Sequence, residues 1–408
     1  MSSTLFTGGR VLDAEAGVLR EGLDVLIQDG TIRAVGQNLS ADARKIDLKG
    51  KTLMPGLIDC HVHVVAETLN LWSNIIAPTS LAALRSARVM EEALQRGFTT
   101  LRDLGGADIG LVQGVEDGLI DGPRLVICGK GLTVTGGHAD LRPRTDDRPT
   151  MMHERLGSMG YVVDGVDECR KVAREMIKGG AKFIKIMANG GVSSPNDPIE
   201  SIQFSRDEIL AMVEEAENAG IYVAAHVYTD AAIRRCAELG VRSLEHCNLI
   251  TPETAKIAAD KGCIAVPTLV AYEALHLEGK RFGFGETEFA KIDTVRQGGL
   301  RSLEIMRDAG LPMAFGSDLL GELRSYHCME FELLAKVLTP AEILRSVTTV
   351  GAELCQMTGE IGVVAEGAKA DLIAVDGNPL EDVSVLMGDG ARIPLIMRDG
   401  KVFKDALN

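Results

Sequence analysis

The sequence predicts an α/β fold: a (β/α)8 barrel of the TIM type with a small β-sandwich-like domain formed by both termini. Three observations predict it. Eight short apolar runs recur between residues 57 and 317, most of them separated by segments of helical periodicity. Residues 1–55 and 358–408 instead alternate short β-rich runs with Asp-Gly and Gly-Gly breaks. A length of 408 residues exceeds a typical single domain but suits one large domain with an appendage.

In chain order, Leu5–Leu12 and Asp24–Val35 carry the first β-texture, and Asp29-Gly30 between two apolar runs is a hairpin signal. The same texture returns at Ala370–Gly377 and Leu395–Phe403. Neither end buries enough apolar surface alone, so the two are expected to fold together, leaving residues 56–357 as the barrel. Its predicted strands are Leu57–Val64, Thr99–Leu104, Leu125–Cys128, Phe183–Met187, Tyr222–His226, Ser243–His246, Ile264–Leu269 and Met313–Ser317. Helices are predicted over Ser80–Gln95, Val166–Lys178, Ser205–Ala219, Thr229–Leu239 and Thr251–Lys261, with a long one ending near Asp308. Ser205 with Glu208, and Thr339-Pro340 with Glu342, have the spacing of capped helix starts.

Composition narrows the function. A formal net charge of −15 argues against nucleic-acid and anionic-membrane partners, both of which need clustered Lys and Arg. Eight scattered cysteines without a Cys-x-x-Cys pair read as reduced core residues. No basic-then-apolar leader opens the chain and no run approaches a membrane span, so a cytoplasmic enzyme is expected.

Catalytic groups of such barrels sit at the C-terminal ends of the strands, so polar residues that end apolar runs should converge. Strand one ends in His61 and His63, whose i, i+2 spacing aims both imidazoles at one point. Strand four carries Lys185, strands five and six end in His226 and His246, and strand eight is followed by Asp318. Imidazole and carboxylate together suit divalent cations such as zinc. Lys185, a lysine within an apolar strand, is either an ammonium paired with Asp318 or an amine converted to a carbamate that bridges two metals. Spacing alone leaves both open.

The stretch Gly56-Leu57-Ile58-Asp59-Cys60-His61-Val62-His63, with Lys185, His226, His246 and Gly316-Ser317-Asp318, resembles the amidohydrolase superfamily of metal-dependent hydrolases over nearly the whole chain. The resemblance implies two divalent metal ions, zinc by expectation. His61, His63 and Asp318 would hold the more buried ion, His226 and His246 the more exposed one, and N6-carboxylated Lys185 would join them. It also implies hydrolysis by metal-activated water, with Asp318 moving the proton to the leaving amine.

Gly131–Asp140, the run Ala188–Ser194 and His226-Val227-Tyr228 are similar to the branch holding Xaa-Pro dipeptidases, Xaa-Arg and Xaa-Lys dipeptidases and ochratoxin-hydrolysing amidases. That likeness implies a small-molecule substrate, a dipeptide or N-acyl amino acid with Xaa-Pro the leading case, and a homo-oligomer. His138 and Tyr228 would contact the substrate carbonyl or carboxylate. Arg142 and Arg144 are further candidates for the carboxylate, though a solvated surface charge is the reading favoured for both, and His327 is expected to line the pocket. Residues 139–160 read as a lid. Three rivals stand. An imidazolone-type hydrolase or mononuclear deaminase is disfavoured by Lys185 and, for the cytosine-deaminase relatives, by Thr229 where they carry Glu. Cyclic amide or lactone hydrolysis uses the same metal centre. A non-catalytic scaffold would have lost ligands that this chain keeps.

Overall fold

The computed structural model describes residues 3–148, 152–194 and 196–407. The chain is mixed α/β, organised on two parallel sheets. The first orders Arg124–Ile127, Phe98–Asp103 and Leu57–Val62. The second orders Gly160–Val162, Gly131–Thr133, Ile184–Met187, Val223–Thr229, Ser243–Leu249 and Ile264–Val266. Backbone hydrogen bonds join the two sheets at both ends. Lys182 N–H donates to the Ile127 carbonyl at 2.8 Å. On the other side Met313 bridges Ala265 in parallel, and Cys60 N–H donates to the Phe315 carbonyl at 2.8 Å.

Seven of the eight predicted strands form, and Met313–Ser317 is reduced to that bridge. Pro312 lacks an N–H, and Phe315 N–H turns away to the Ser346 carbonyl, so no regular ladder develops. The seventh strand also stops early, at Val266, because Thr268 takes a left-handed φ of 50° and Leu269–Glu278 becomes a helix. Two short strands not expected from the sequence, Gly131–Thr133 and Gly160–Val162, frame the segment read as a lid. Of that segment, Pro149, Thr150 and Met151 lie outside the described residues.

The helices follow their periodicity, at Thr79–Gln95, Val166–Lys178, Arg206–Asn218, Asp230–Glu238, Pro252–Asp260 and Glu286–Asp308. Both predicted capping boxes form, each satisfying two otherwise unpaired N–H groups. No helix among the described residues is long and apolar enough to cross a membrane.

Strands from both ends share one six-stranded sheet, in the order Lys401–Asp405, Leu395–Arg398, Leu372–Val375, Thr52–Pro55, Arg10–Asp13 and Val18–Glu21. A four-stranded sheet holds Thr31–Gly36, Asp24–Gln28, Ser3–Thr7 and Arg44–Asp47. The Asp29-Gly30 hairpin closes with both residues at positive φ, 49° and 81°, as a type I′ turn requires. Phe6, Val25, Ile32, Leu53, Ala370 and Met397 share a buried apolar cluster between these sheets.

Candidate metal centre and active site

Strand geometry explains how the site assembles. His61 and His63 leave strand Leu57–Val62 on one side, and Asp318 is locked beneath them by its N–H to the His61 carbonyl at 2.8 Å. Asp318 Oδ1 lies 3.4 Å from Nε2 of both histidines, and the three ligand atoms fall within 4.8 Å of one another. His226, on Val223–Thr229, and His246, on Ser243–Leu249, complete the cluster, their ring centroids 4.7 Å apart, with His246 5.0 Å from His61.

In a regular strand Glu245 and His246 would face opposite ways. Here His246 and Cys247 take φ of 78° and 55°, rare for residues with a side chain. That twist lets both neighbours serve the site, at an expense of about 1–3 kcal/mol per outlier that the packed strand supports. Asp318, at φ 50°, is held in the same region.

The outer ring nitrogens of His61, His63 and His246 are engaged. His61 Nδ1 meets Glu245 Oε2 at 2.8 Å, His63 Nδ1 donates to the Gly105 carbonyl at 2.9 Å, and His246 Nδ1 meets Thr268 Oγ1 at 2.7 Å. A carboxylate or carbonyl partner fixes the proton on Nδ1 of His61 and His63, leaving their Nε2 lone pairs aimed at the cavity. Metal-ligating histidines are oriented in this way. Glu245 is itself fixed, because Oε1 accepts from Arg102 Nη2 at 2.7 Å and from Ser243 Oγ at 2.5 Å. Arg102 also reaches the Cys60 carbonyl and the Tyr222 hydroxyl, and both Arg102 and Glu245 are fully buried.

Electrostatics agree. Burial holds His226 and His246 well below the usual imidazole range. Burial opposes a charge on His63 too, but the Asp318 carboxylate outweighs it and raises the pKa. Asp318 is held far below the usual carboxylate range, since His61, His63 and Lys185 overcome its desolvation. Lys185 is 1% exposed, its Nζ makes no hydrogen bond, and burial lowers its pKa to about 8. Of the two readings open for Lys185, the ion pair with Asp318 does not form among the described residues. Imidazoles, one carboxylate and an unpartnered buried amine fit a divalent metal centre: His61, His63 and Asp318 bring three ligand atoms together, and His226 and His246 line the same cavity.

The remaining candidates divide. His138 lines the cavity, its ring stacked on His226 at 4.2 Å and its Nδ1 2.8 Å from Ser194 Oγ, and burial lowers its pKa to about 4. Tyr228 lines it as well, its backbone N–H held by Asn189 Oδ1 and its hydroxyl accepting from Tyr272 at 3.2 Å. Arg142 does not: its guanidinium folds back on Asp140 at 2.7 and 2.8 Å, and it is absent from the cavity lining. Arg144 is exposed. His327 sits behind strand one instead of in the catalytic cavity. Its Nε2 meets Asp59 Oδ2 at 2.8 Å and its ring stacks on Phe98 at 4.2 Å. His153 stacks on Tyr161, and His276 meets Asp293 at the surface. Sequence reasoning missed Glu245, Arg102, Thr268 and Tyr272. The charges of Arg102 and Glu245 inside apolar strands were the available signal for the first two.

The model of the Amidohydrolase family matches residues 52–403. Ochratoxinase of Aspergillus niger is 31% identical over 423 residues, covering 98% of this chain and 86% of that protein. Imidazolonepropionase of Alkaliphilus metalliredigens is 26% identical over 422 residues, covering 93% and 91%. Among solved structures, a prolidase complexed with N-methylphosphonate-L-proline superposes with a TM-score of 0.97 at 49% identity, covering 99% of this chain and 100% of that one.

Proposed function

The chain belongs to the amidohydrolase family and is a hydrolase acting on carbon–nitrogen bonds, and on that premise we propose that it cleaves the amide of dipeptides or N-acyl amino acids, releasing a free amino acid. Xaa-Pro is the leading substrate, supported by the likeness to the prolidase. We assign residues 56–357 to a closed (β/α)8 barrel, and 1–55 with 358–408 to an accessory β-domain.

His61, His63 and Asp318 would hold one divalent cation, zinc in this reading, and His226 and His246 a second, with N6-carboxylated Lys185 shared by both. A cation pair of this kind supplies Lewis-acid polarisation of the amide carbonyl and acidifies water at neutral pH. The observation that carries the assignment is Lys185 Nζ, buried without a hydrogen-bond partner in a cavity that imidazoles line. Burial favours its neutral amine, the form whose lone pair attacks carbon dioxide with loss of a proton.

Asp318 works as the ionised carboxylate, taking a proton from the attacking water and passing it to the leaving amine. His138 is neutral near pH 7, so it contributes a hydrogen bond to the substrate and no charge. Tyr228 stays protonated because burial raises its pKa, and with its oxygen already accepting from Tyr272 its own proton is free to donate to the substrate carboxylate.

The test is amino-acid release from a panel of dipeptides and N-acyl amino acids by protein loaded with zinc in bicarbonate, with metal content measured alongside. Release of one C-terminal residue with two metals per chain is expected. Opening of cyclic amides or lactones with no release from the panel would refute the substrate class. That second reading, ring hydrolysis at the same centre, draws on the near-full-length likeness to imidazolonepropionase.

A further inference from the structure

The cavity over the cluster has two lobes that share His138, His226, Asp318 and Leu320. The inner lobe, beside His61, Lys185 and Met187, has a volume of about 70 Å³. The outer one extends past Tyr228 and Tyr272 and measures about 260 Å³. An apolar cavity of ~150 Å³ accepts benzene, so a ring fits the outer lobe and not the inner one.

The outer walls are Leu69, Trp72, Leu275, Phe284 and Leu323. Apart from Asp318 and the two histidines, no ionisable group other than the two tyrosines lines this lobe among the described residues. The residues outside that description, Met1, Ser2, Pro149, Thr150, Met151, Pro195 and Asn408, carry no charged side chain. The nearby carboxylate of Asp197 does not line the lobe; its Oδ2 accepts from Gly191 N–H and Gln203 Nε2, and its Oδ1 is buried. A charged side chain entering here would lose its water without gaining a partner.

We propose that the outer lobe is the subsite for the side chain of the leaving amino acid, and that it selects an uncharged, apolar side chain up to the size of an aromatic ring. This rests on the amide-hydrolysis reading above. Placement on the leaving side follows from Tyr228, which lines the outer lobe and not the inner one and which, in the reading above, donates to the substrate carboxylate. The selected class reaches beyond proline to Leu, Met and Phe, and excludes Arg, Lys, Asp and Glu.

The experiment measures kcat/KM on zinc-loaded protein for two series, Ala-X and N-acetyl-X with X as Pro, Leu, Phe, Gly, Arg and Asp. A third series holds the leaving residue at Leu and varies the acyl group. Leu and Phe are expected to exceed Arg and Asp by about 100-fold or more. Phe284→Glu should narrow the Leu-to-Arg ratio about tenfold or more by offering the guanidinium a partner. Arg or Asp within about tenfold of Leu, or discrimination confined to the acyl series, would overturn the proposal. If no amide is cleaved, the functional reading fails by itself. Calorimetric binding of free Phe and Arg to the same protein then decides the lobe: tighter Phe supports it, and equal or tighter Arg overturns it.

Discussion

Replacing Glu245 with Gln tests whether the buried network behind His61 is part of the metal site. The carboxylate accepts from Arg102 and Ser243 on one oxygen and engages His61 on the other, and neither Glu245 nor Arg102 is reached by water. A carboxamide of the same shape must turn its NH2 toward Arg102 or toward the His61 N–H, leaving a buried charge without a counter-ion. Breaking a buried pair in this way costs about 3–5 kcal/mol. With ~2.1 cal/mol/K per residue over 408 residues, the thermal midpoint of metal-free protein should fall by roughly 4–6 °C. Loss of the group that orients His61 should weaken zinc binding about 10- to 100-fold in a chelator competition.

The pH dependence follows from the same carboxylate. Burial works against its ionised form, but Arg102 and His61 outweigh it and hold the pKa at about 2, against an ordinary value of 4.5. A depressed acid adds stability above the unfolded pKa and loses it as the pH falls toward the folded one. The wild type should therefore lose stability more steeply than Glu245→Gln below about pH 4.5. A variant with a thermal midpoint within about 1 °C of wild type and unchanged zinc affinity would refute the reasoning.

Three further outcomes are expected. Asp318→Asn should retain the fold and lose about 10³-fold or more in kcat, read in the amino-acid release assay, because the amide cannot carry the proton. Lys130 Nζ is buried and donates to the carbonyls of Gly106, Arg155, Leu156 and Ser158, stitching the cavity roof. Lys130→Met should speed amide exchange over residues 152–160 and raise KM severalfold at unchanged metal content. Glu330 accepts from the N–H groups of Leu269 and Val270, yet burial raises its pKa to about 8. The folded state then holds the extra proton between the ordinary 4.5 and about 8, so stability falls as the pH rises through that window, and Glu330→Gln should flatten the fall in urea titrations.

The residues that gather at the cavity were legible because they obey local rules. His61 and His63 follow strand alternation, Lys185 is a charge in an apolar run, and Asp318 follows the last apolar run. His246 was found at its strand end, but regular alternation would point it away from Glu245. The left-handed backbone at His246 and Cys247 turns both inward, and no residue type there announces it. The outer lobe was not legible, since Leu69, Leu275, Phe284 and Leu323 come from separate segments that only tertiary packing unites. His327 was misplaced because nearness in sequence to Asp318 says nothing of the Phe98 ring it stacks on or the Asp59 carboxylate it meets. Arg142 stays out of the cavity because Asp140, two residues earlier, claims its guanidinium.

The sheet shared by the two ends constrains how the chain can be made. Strand Thr52–Pro55 pairs with Arg10–Asp13 on one edge and Leu372–Val375 on the other, so during synthesis that second edge waits for almost the whole polypeptide to leave the ribosome before its partner exists. An unpaired, apolar edge of that kind invites pairing with other chains. Premature termination before residue 372 should therefore yield aggregating chains even though each predicted metal ligand has already been translated. Holding the nascent N-terminal strands apart from one another is the work such a topology assigns to chaperones.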